Sequence, residues 1–257
     1  MDFALKGKRA LVTGAGRGIG RAISEALAAE GVKVAVFSRT QADIDILLNE
    51  IGGPQAGHYG HAYDFAPDGC IEPLIEELDE HFGEVDIVIN NVGGTLNVTD
   101  PLCPIEDWRR VMRLNLEVAI EINRLLVPRM AERGWGRAIQ VASTASVENN
   151  GPITYCAAKA ALAAYTRGFG RIMAASGVVV SAVLPGAVKT EGGHWDIASR
   201  ERPEHVEKYL AERCPAGRFG TSEEIAALVV FMCSEQASFM QGSTVAVDGG
   251  QIRGFHY

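Results

Sequence analysis

A phenol and an ammonium one helical turn apart offer this chain its clearest chemistry. Tyr155 and Lys159 stand in Thr154-Tyr155-Cys156-Ala157-Ala158-Lys159, and on a helix that spacing puts both on one face. There the cation can stabilise a phenolate, whose unperturbed pKa is about 10. A tyrosine tuned downward in this way trades protons near neutral pH. By itself the pair is equally compatible with a solvated helix face. Its weight comes from two features upstream: a serine, Ser143, in Val141-Ala142-Ser143-Thr144, and the glycine-rich run Thr13-Gly14-Ala15-Gly16-Arg17-Gly18-Ile19-Gly20.

The glycine run follows an apolar segment of strand character and precedes a helical one. In that context glycines allow a tight turn and close approach of the backbone to a pyrophosphate. They also open a helix whose free N–H groups favour negative charge. The following strand ends Val36-Phe37-Ser38-Arg39. Readers of NAD place an acidic residue there for the ribose 2′-hydroxyl, and none is present. Arg39, with Arg17 from the glycine turn, can instead clamp a 2′-phosphate through charge-assisted bonds. NADP(H) is therefore expected over NAD(H).

The elements that must position these groups alternate along the chain. Strands are expected at residues 8–13, 32–38, 58–64, 85–90, 137–142, 178–184 and 243–247. Helices are expected at 18–30, 41–50, 68–82, 107–133, 153–175 and 222–233. Such β-α alternation implies a parallel sheet covered by helices on both faces, with ligands beyond the C-terminal strand ends. The residues picked out above fall there. The 257 residues, 47% of them hydrophobic, suit one large α/β domain without an internal linker.

A formal net charge of −8 argues against a nucleic-acid or anionic-membrane surface. The beginning of the chain has no charged leader before a long apolar run, and no apolar run is long enough to span a bilayer; a cytosolic protein is expected. Five scattered cysteines suggest reduced thiols rather than a disulfide framework. The six histidines show no metal-ligand spacing with cysteines, so no metal site is expected. His58 and His61, in a weak strand, are read as surface residues.

With these motifs in order, the chain resembles the single-domain short-chain dehydrogenases/reductases over essentially its whole length. Asn90-Asn91-Val92-Gly93, Asn115 in Arg113-Leu114-Asn115-Leu116, Pro185-Gly186-Ala187-Val188-Lys189-Thr190 and Val247-Asp248-Gly249-Gly250 each match a family motif. The resemblance implies a Rossmann-type doubly wound sheet of about seven strands and a catalytic set of Asn115, Ser143, Tyr155 and Lys159. Ser143 lies one residue nearer Tyr155 than the commonest family spacing, which leaves Thr144 and Ser146 as neighbouring hydroxyls; the strand Ile139-Gln140-Val141 aims Ser143. Cofactor contacts are expected from Gly14, Arg17, Gly18, Ile19, Gly20, Ser38, Arg39, Asp64, Phe65, Asn91, Gly93, Tyr155, Lys159, Pro185, Gly186, Val188 and Thr190.

The implied reaction is reversible hydride transfer between a nicotinamide and a carbonyl or secondary alcohol. Ser143 would polarise the substrate oxygen, Tyr155 would exchange its proton, and Lys159 would hold the nicotinamide ribose and lower the Tyr155 pKa. Asn115 would carry the proton path onward, through its backbone or a bound water. A polar segment at about 187–217 occupies the family's substrate-lid position, with a short helix expected at 203–213 and Trp195 expected over the substrate. The partner is a small carbonyl or alcohol, with an acyl-carrier-bound substrate also open; arginines 129, 133, 167 and 171 are the candidates for meeting an acidic carrier. The resemblance also implies a homotetramer through the two long helices, with the tail from Gln251 to Tyr257 reaching a neighbour. An NAD-dependent sugar, polyol or dihydrodiol dehydrogenase is the alternative. A non-catalytic dinucleotide sensor is a remote one, because it would have no need of the full catalytic set.

Overall fold

The computed structural model describes residues 2–254. Seven parallel strands form one sheet in the order β3-β2-β1-β4-β5-β6-β7. They are β1 (Arg9–Thr13), β2 (Lys33–Ser38), β3 (Tyr59–Ala62), β4 (Ile87–Asn90), β5 (Gly136–Val141), β6 (Val178–Pro185) and β7 (Thr244–Val247). Each expected strand is present, shortened by a residue or more at some ends. β1, β2 and β4 carry apolar runs of three or more residues because both faces of the sheet are covered, while β5 also buries Arg137 and Gln140.

The pleat sorts their side chains between two cores. Ala10, Val12, Val34, Val36, Ile87 and Ile89 join one, packed with helices α1 (Gly18–Ala29) and α9 (Ser222–Cys233). Leu11, Ala35, Phe37 and Val88 join the other, with α3 (Ile71–His81) and α5 (Val118–Glu132). Helix α2 (Gln41–Glu50) adds Ile44 and Leu47 to the first core. This is the Rossmann-type doubly wound architecture. Chain order reverses between β1 and β4, so the crevice of the fold opens beyond the C-terminal ends of those strands.

Two local expectations are corrected. The single helix expected at 107–133 is α4 (Ile105–Met112), a π-helical turn (Arg113–Glu117) and then α5. Ahead of the helix expected at 203–213, which is α8 (Pro203–Arg213), the polar segment holds a further helix, α7 (His194–Glu201). His58 is buried, not exposed: its Nδ1 accepts the Val34 N–H at 3.1 Å, and burial pushes its pKa down. A neutral imidazole there satisfies a backbone donor beside the start of the β2–β3 ladder. His61 is half-buried, its Nε2 2.6 Å from Glu77.

The remaining long helix, α6 (Ile153–Met173), carries Tyr155 and Lys159. Helix α9 starts with a capping box: Thr221 accepts the Glu224 N–H while the Glu224 side chain accepts the Thr221 N–H. At the end of the described chain, Gln251 accepts the Ala187 N–H and donates to Cys214 Sγ, and the Arg253 and Gly254 N–H groups donate to Glu148. Residues 251–254 thus fold back on their own chain. Residues 255–257, the rest of the tail expected to reach a neighbour, lie outside the described residues.

Candidate active site

A cleft of about 1340 Å³ runs along the C-terminal strand ends. It is lined by the proposed cofactor residues Gly14, Arg17, Gly18, Ile19, Gly20, Ser38, Arg39, Asp64, Phe65, Asn91, Gly93, Pro185, Gly186, Val188 and Thr190. Ser143, Tyr155, Lys159 and Trp195 line it as well. Asn115 does not, being buried behind the wall.

At the glycine turn, close packing explains the residue types. A Cβ on Gly20 would lie 2.4 Å from Asn91 Nδ2 and from the Gly14 carbonyl oxygen; one on Gly16 would lie 2.4 Å from Ser38 Oγ. Gly18 has φ +59°, in the left-handed region that side chains avoid. Thr13, at the end of β1, accepts the Asn91 and Val92 N–H groups at 3.0 and 3.1 Å and so ties the ends of β1 and β4 together. Sequence reading assigned Thr13 no role; its place at the head of the glycine run was the available signal.

Helix α1 begins at this turn with no side-chain cap and no acidic residue in its first turn. Its free N–H groups and dipole therefore favour an anion. Ser38 Oγ is buried in the cleft wall without a hydrogen-bond partner, which a ligand hydroxyl or phosphate oxygen would satisfy. Arg17 and Arg39 are exposed at the rim. Neither is paired with a carboxylate among the described residues. A dinucleotide with an extra phosphate on its adenosine ribose fits this donor set.

The catalytic end is organised by β5, α6 and the π-helical turn. Ser143 follows β5 and caps the short turn Thr144–Ser146, its Oγ accepting the Ala145 N–H at 3.1 Å. Ser143 also acts on the Tyr155 phenol, favouring its ionised form. Thr144 is buried and accepts from Asn150 Nδ2, and Ser146 Oγ is buried without a partner. Of these three hydroxyls, Ser143 alone lines the cleft.

Lys159 is 4% exposed and donates from Nζ to the Val141 carbonyl at 2.8 Å, with Nζ 5.8 Å from the Tyr155 ring centroid. Burial lowers its pKa to about 8, so it stays largely charged at neutral pH. The expected lowering of the Tyr155 pKa is not found in the protein alone. Burial pushes the phenol up and outweighs the opposing influence of Ser143.

The Asn115 side chain is fully engaged within the protein. Its Nδ2 donates to the Gly94 and Val111 carbonyls at 2.8 and 2.9 Å, and its Oδ1 accepts the Gly94 N–H at 2.9 Å. The side chain is thus spent on holding the loop after β4, which leaves the main chain of the π turn for any proton relay. Gly93 must be glycine for this arrangement: a Cβ would lie 2.6 Å from Asn115 Oδ1 and 3.2 Å from Lys159 Nζ.

Trp195 lines the cleft but is also the packing centre of its segment. Its ring lies 4.1 Å from Tyr209 and 4.9 Å from Phe219, centroid to centroid. Of the segment's charges, Arg200 pairs with Asp196 and Lys208 with Glu212. Among the described residues there is no cluster of three or more potential metal ligands, and no helix is long and apolar enough to cross a membrane.

The fold and cleft define a doubly wound α/β protein with a dinucleotide-type crevice and a Ser-Tyr-Lys cluster beside it. A family model described as "Enoyl-(Acyl carrier protein) reductase" matches residues 14–251. The 3-oxoacyl-[acyl-carrier-protein] reductase of Escherichia coli K12 is 33% identical over 251 residues, 97% of this chain and 98% of the relative. D-threitol dehydrogenase of Mycolicibacterium smegmatis is 32% identical over 252 residues, 97% of this chain and 94% of the relative. Among solved structures, L-sorbose reductase from Gluconobacter frateurii, complexed with NADPH and L-sorbose, matches with a TM-score of 0.90 at 28% identity, covering 99% of this chain and 100% of that one. The chain belongs to the short-chain dehydrogenase/reductase family of oxidoreductases.

Proposed function

We propose that the protein is an NADP(H)-dependent oxidoreductase that interconverts a carbonyl and a secondary alcohol. The observation that carries this reading is that Ser143, Tyr155 and buried Lys159 line one cleft with the glycine turn that opens the uncapped N-terminus of α1. When bound, the nicotinamide supplies or accepts the hydride. Ser143 donates a hydrogen bond to the substrate oxygen and stabilises the charge that develops there. Tyr155 delivers its phenolic proton to that oxygen in reduction and takes it back in oxidation.

The raised Tyr155 pKa suits the donor role, since it keeps the phenol protonated until the substrate oxygen becomes basic. Lys159, charged and desolvated, favours the phenolate left behind and holds the nicotinamide ribose. Proton resupply runs from Lys159 along the main chain of the turn containing Asn115. The polar segment at about 187–217 forms the substrate lid of a single domain at residues 1–257.

Arg17, Arg39 and orphaned Ser38 Oγ support NADP(H), the cofactor form bound in the sorbose reductase. An NAD-dependent sugar or diol dehydrogenase would leave the two arginines without a phosphate to meet. The substrate is a small carbonyl or alcohol, free or carried on an acyl carrier; two of the four arginines that could meet an acidic carrier are engaged within the chain. Arg129 is paired with Asp79, while Arg133 is bonded to the Val85 carbonyl and lies near Glu84 and Asp86. A homotetramer in the cytosol completes the reading; the five unpaired thiols fit a reducing compartment.

Tyr155→Phe keeps the ring and removes the proton. Turnover of ketones with NADPH should fall at least a thousandfold while NADPH affinity, measured by calorimetry, changes less than threefold. Retained turnover would discard the mechanism.

A further inference from the structure

Arg113 stands two residues before Asn115 and was given no role in the sequence, yet it is the buried cation that lines the cleft besides Lys159. Its guanidinium forks onto Glu121, with Nη1 to Oε1 at 2.6 Å and Nη2 to Oε2 at 3.0 Å. Its charge is therefore already met, and it is poorly placed to serve as a phosphate clamp. What the fork leaves over is directed at the loop between β3 and α3. Nη2 also donates to the Pro67 carbonyl at 3.1 Å and approaches Cys70 Sγ at 3.7 Å; Nε lies 3.6 Å from Asp68.

That loop carries Asp64, Phe65, Ala66 and Asp68 into the cleft. At its start the Tyr63 N–H donates to the Ser38 carbonyl at 2.7 Å, and its remaining hydrogen bonds are local: Ala66 N–H to Asp64, and Tyr63 hydroxyl to the Cys70 carbonyl. Among the described residues, the hydrogen bond from Arg113 is the one that ties the main chain of residues 64–70 to another element.

Two residues further on, Asn115 clamps Gly94 from the same π-helical turn. A π turn holds an extra residue, and here that one turn fastens two loops on different sides of the cleft. We propose that Arg113 is a positioning residue for the adenosine half of the dinucleotide: it holds the 64–70 loop to the turn that holds the loop after β4 at Gly94. The proposal rests on the cofactor reading above.

Two variants of the full-length protein separate this role from simple structural support. Arg113→Lys keeps the charge for Glu121 but has no second nitrogen for Pro67. Glu121→Gln weakens the ion pair and leaves the Pro67 bond in place. The probe is 2′,5′-ADP, titrated calorimetrically, with the melting temperature read alongside. Arg113→Lys should raise its Kd about tenfold and raise the NADPH KM similarly, with kcat changed less than twofold. Glu121→Gln should lower the melting temperature yet leave the Kd within threefold.

Kd changes that track melting temperature in both variants, or an unchanged Kd in folded Arg113→Lys, would overturn the proposal. Hydrogen exchange on the wild-type protein tests it without mutation. Adding 2′,5′-ADP should protect residues 64–70 and 113–117 together, and protection of the loop alone would count against it. A wild-type protein that fails to bind 2′,5′-ADP at all would instead remove the cofactor reading, and this inference with it.

Discussion

Lys159 should cost the protein stability at neutral pH, and replacing it by methionine should make the protein sturdier and inactive. The lysine is 4% exposed, and burial lowers its pKa from the ordinary 10.5 to about 8. That drop corresponds to about 3 kcal/mol needed to keep the ammonium charged. Lys159→Met keeps the length of the side chain and removes the charge, but it also strips the Val141 carbonyl of its 2.8 Å donor, a loss of about 1–2 kcal/mol. The difference leaves the variant about 1–2 kcal/mol more stable at pH 7. For a chain of this size that is a rise in Tm of about 2–8 °C.

The pH dependence has a definite sign. From about pH 8 to 10.5 the unfolded chain keeps the lysine proton that the folded protein has released, so wild-type stability rises with pH across that window. The advantage of the variant is full below pH 8 and shrinks toward pH 10.5. Calorimetric melting of both proteins from pH 7 to pH 10, with turnover measured in parallel, checks this. A variant less stable than wild type at pH 7, or a difference that does not change with pH, would refute the burial argument.

Arg39→Ala should weaken NADPH binding by about 1–3 kcal/mol and leave NADH binding nearly unchanged, as read by side-by-side titration. Gly20→Ala drives a Cβ to 2.4 Å from a backbone carbonyl and from Asn91 Nδ2; overpacking of this kind costs about 1–3 kcal/mol, so both Tm and dinucleotide affinity should fall. Light scattering should give the mass of four chains, and a monomer would remove the oligomer from the proposed function.

Local patterns marked the elements and much of the cleft. Apolar strand runs between glycine-punctuated helices signalled a parallel sheet, and chain order placed Gly14 to Gly20, Asn91, Ser143 and Thr190 at strand ends. Those residues are legible because their function depends on backbone shape and short-range spacing, both written in consecutive residues. The four-residue step from Tyr155 to Lys159 is of the same kind, as is the missing carboxylate after Phe37.

Long-range packing decided the rest. Nothing in Met112-Arg113-Leu114 announces a π turn, since its widened geometry is held by partners from elsewhere: Asn115 on Gly94, and Arg113 on Glu121 and Pro67. His58 looked like a surface residue because its neighbours are weakly apolar, and it is buried because the Val34 N–H needed an acceptor. Of Ser143, Thr144 and Ser146, only Ser143 lines the cleft. Spacing suggested that Lys159 would lower the Tyr155 pKa, whereas desolvation acts on both groups and moves each toward its neutral form. The sequence by itself therefore determined which groups could meet and along which strands. Only the tertiary structure decided how deeply they are buried, and burial sets their charge.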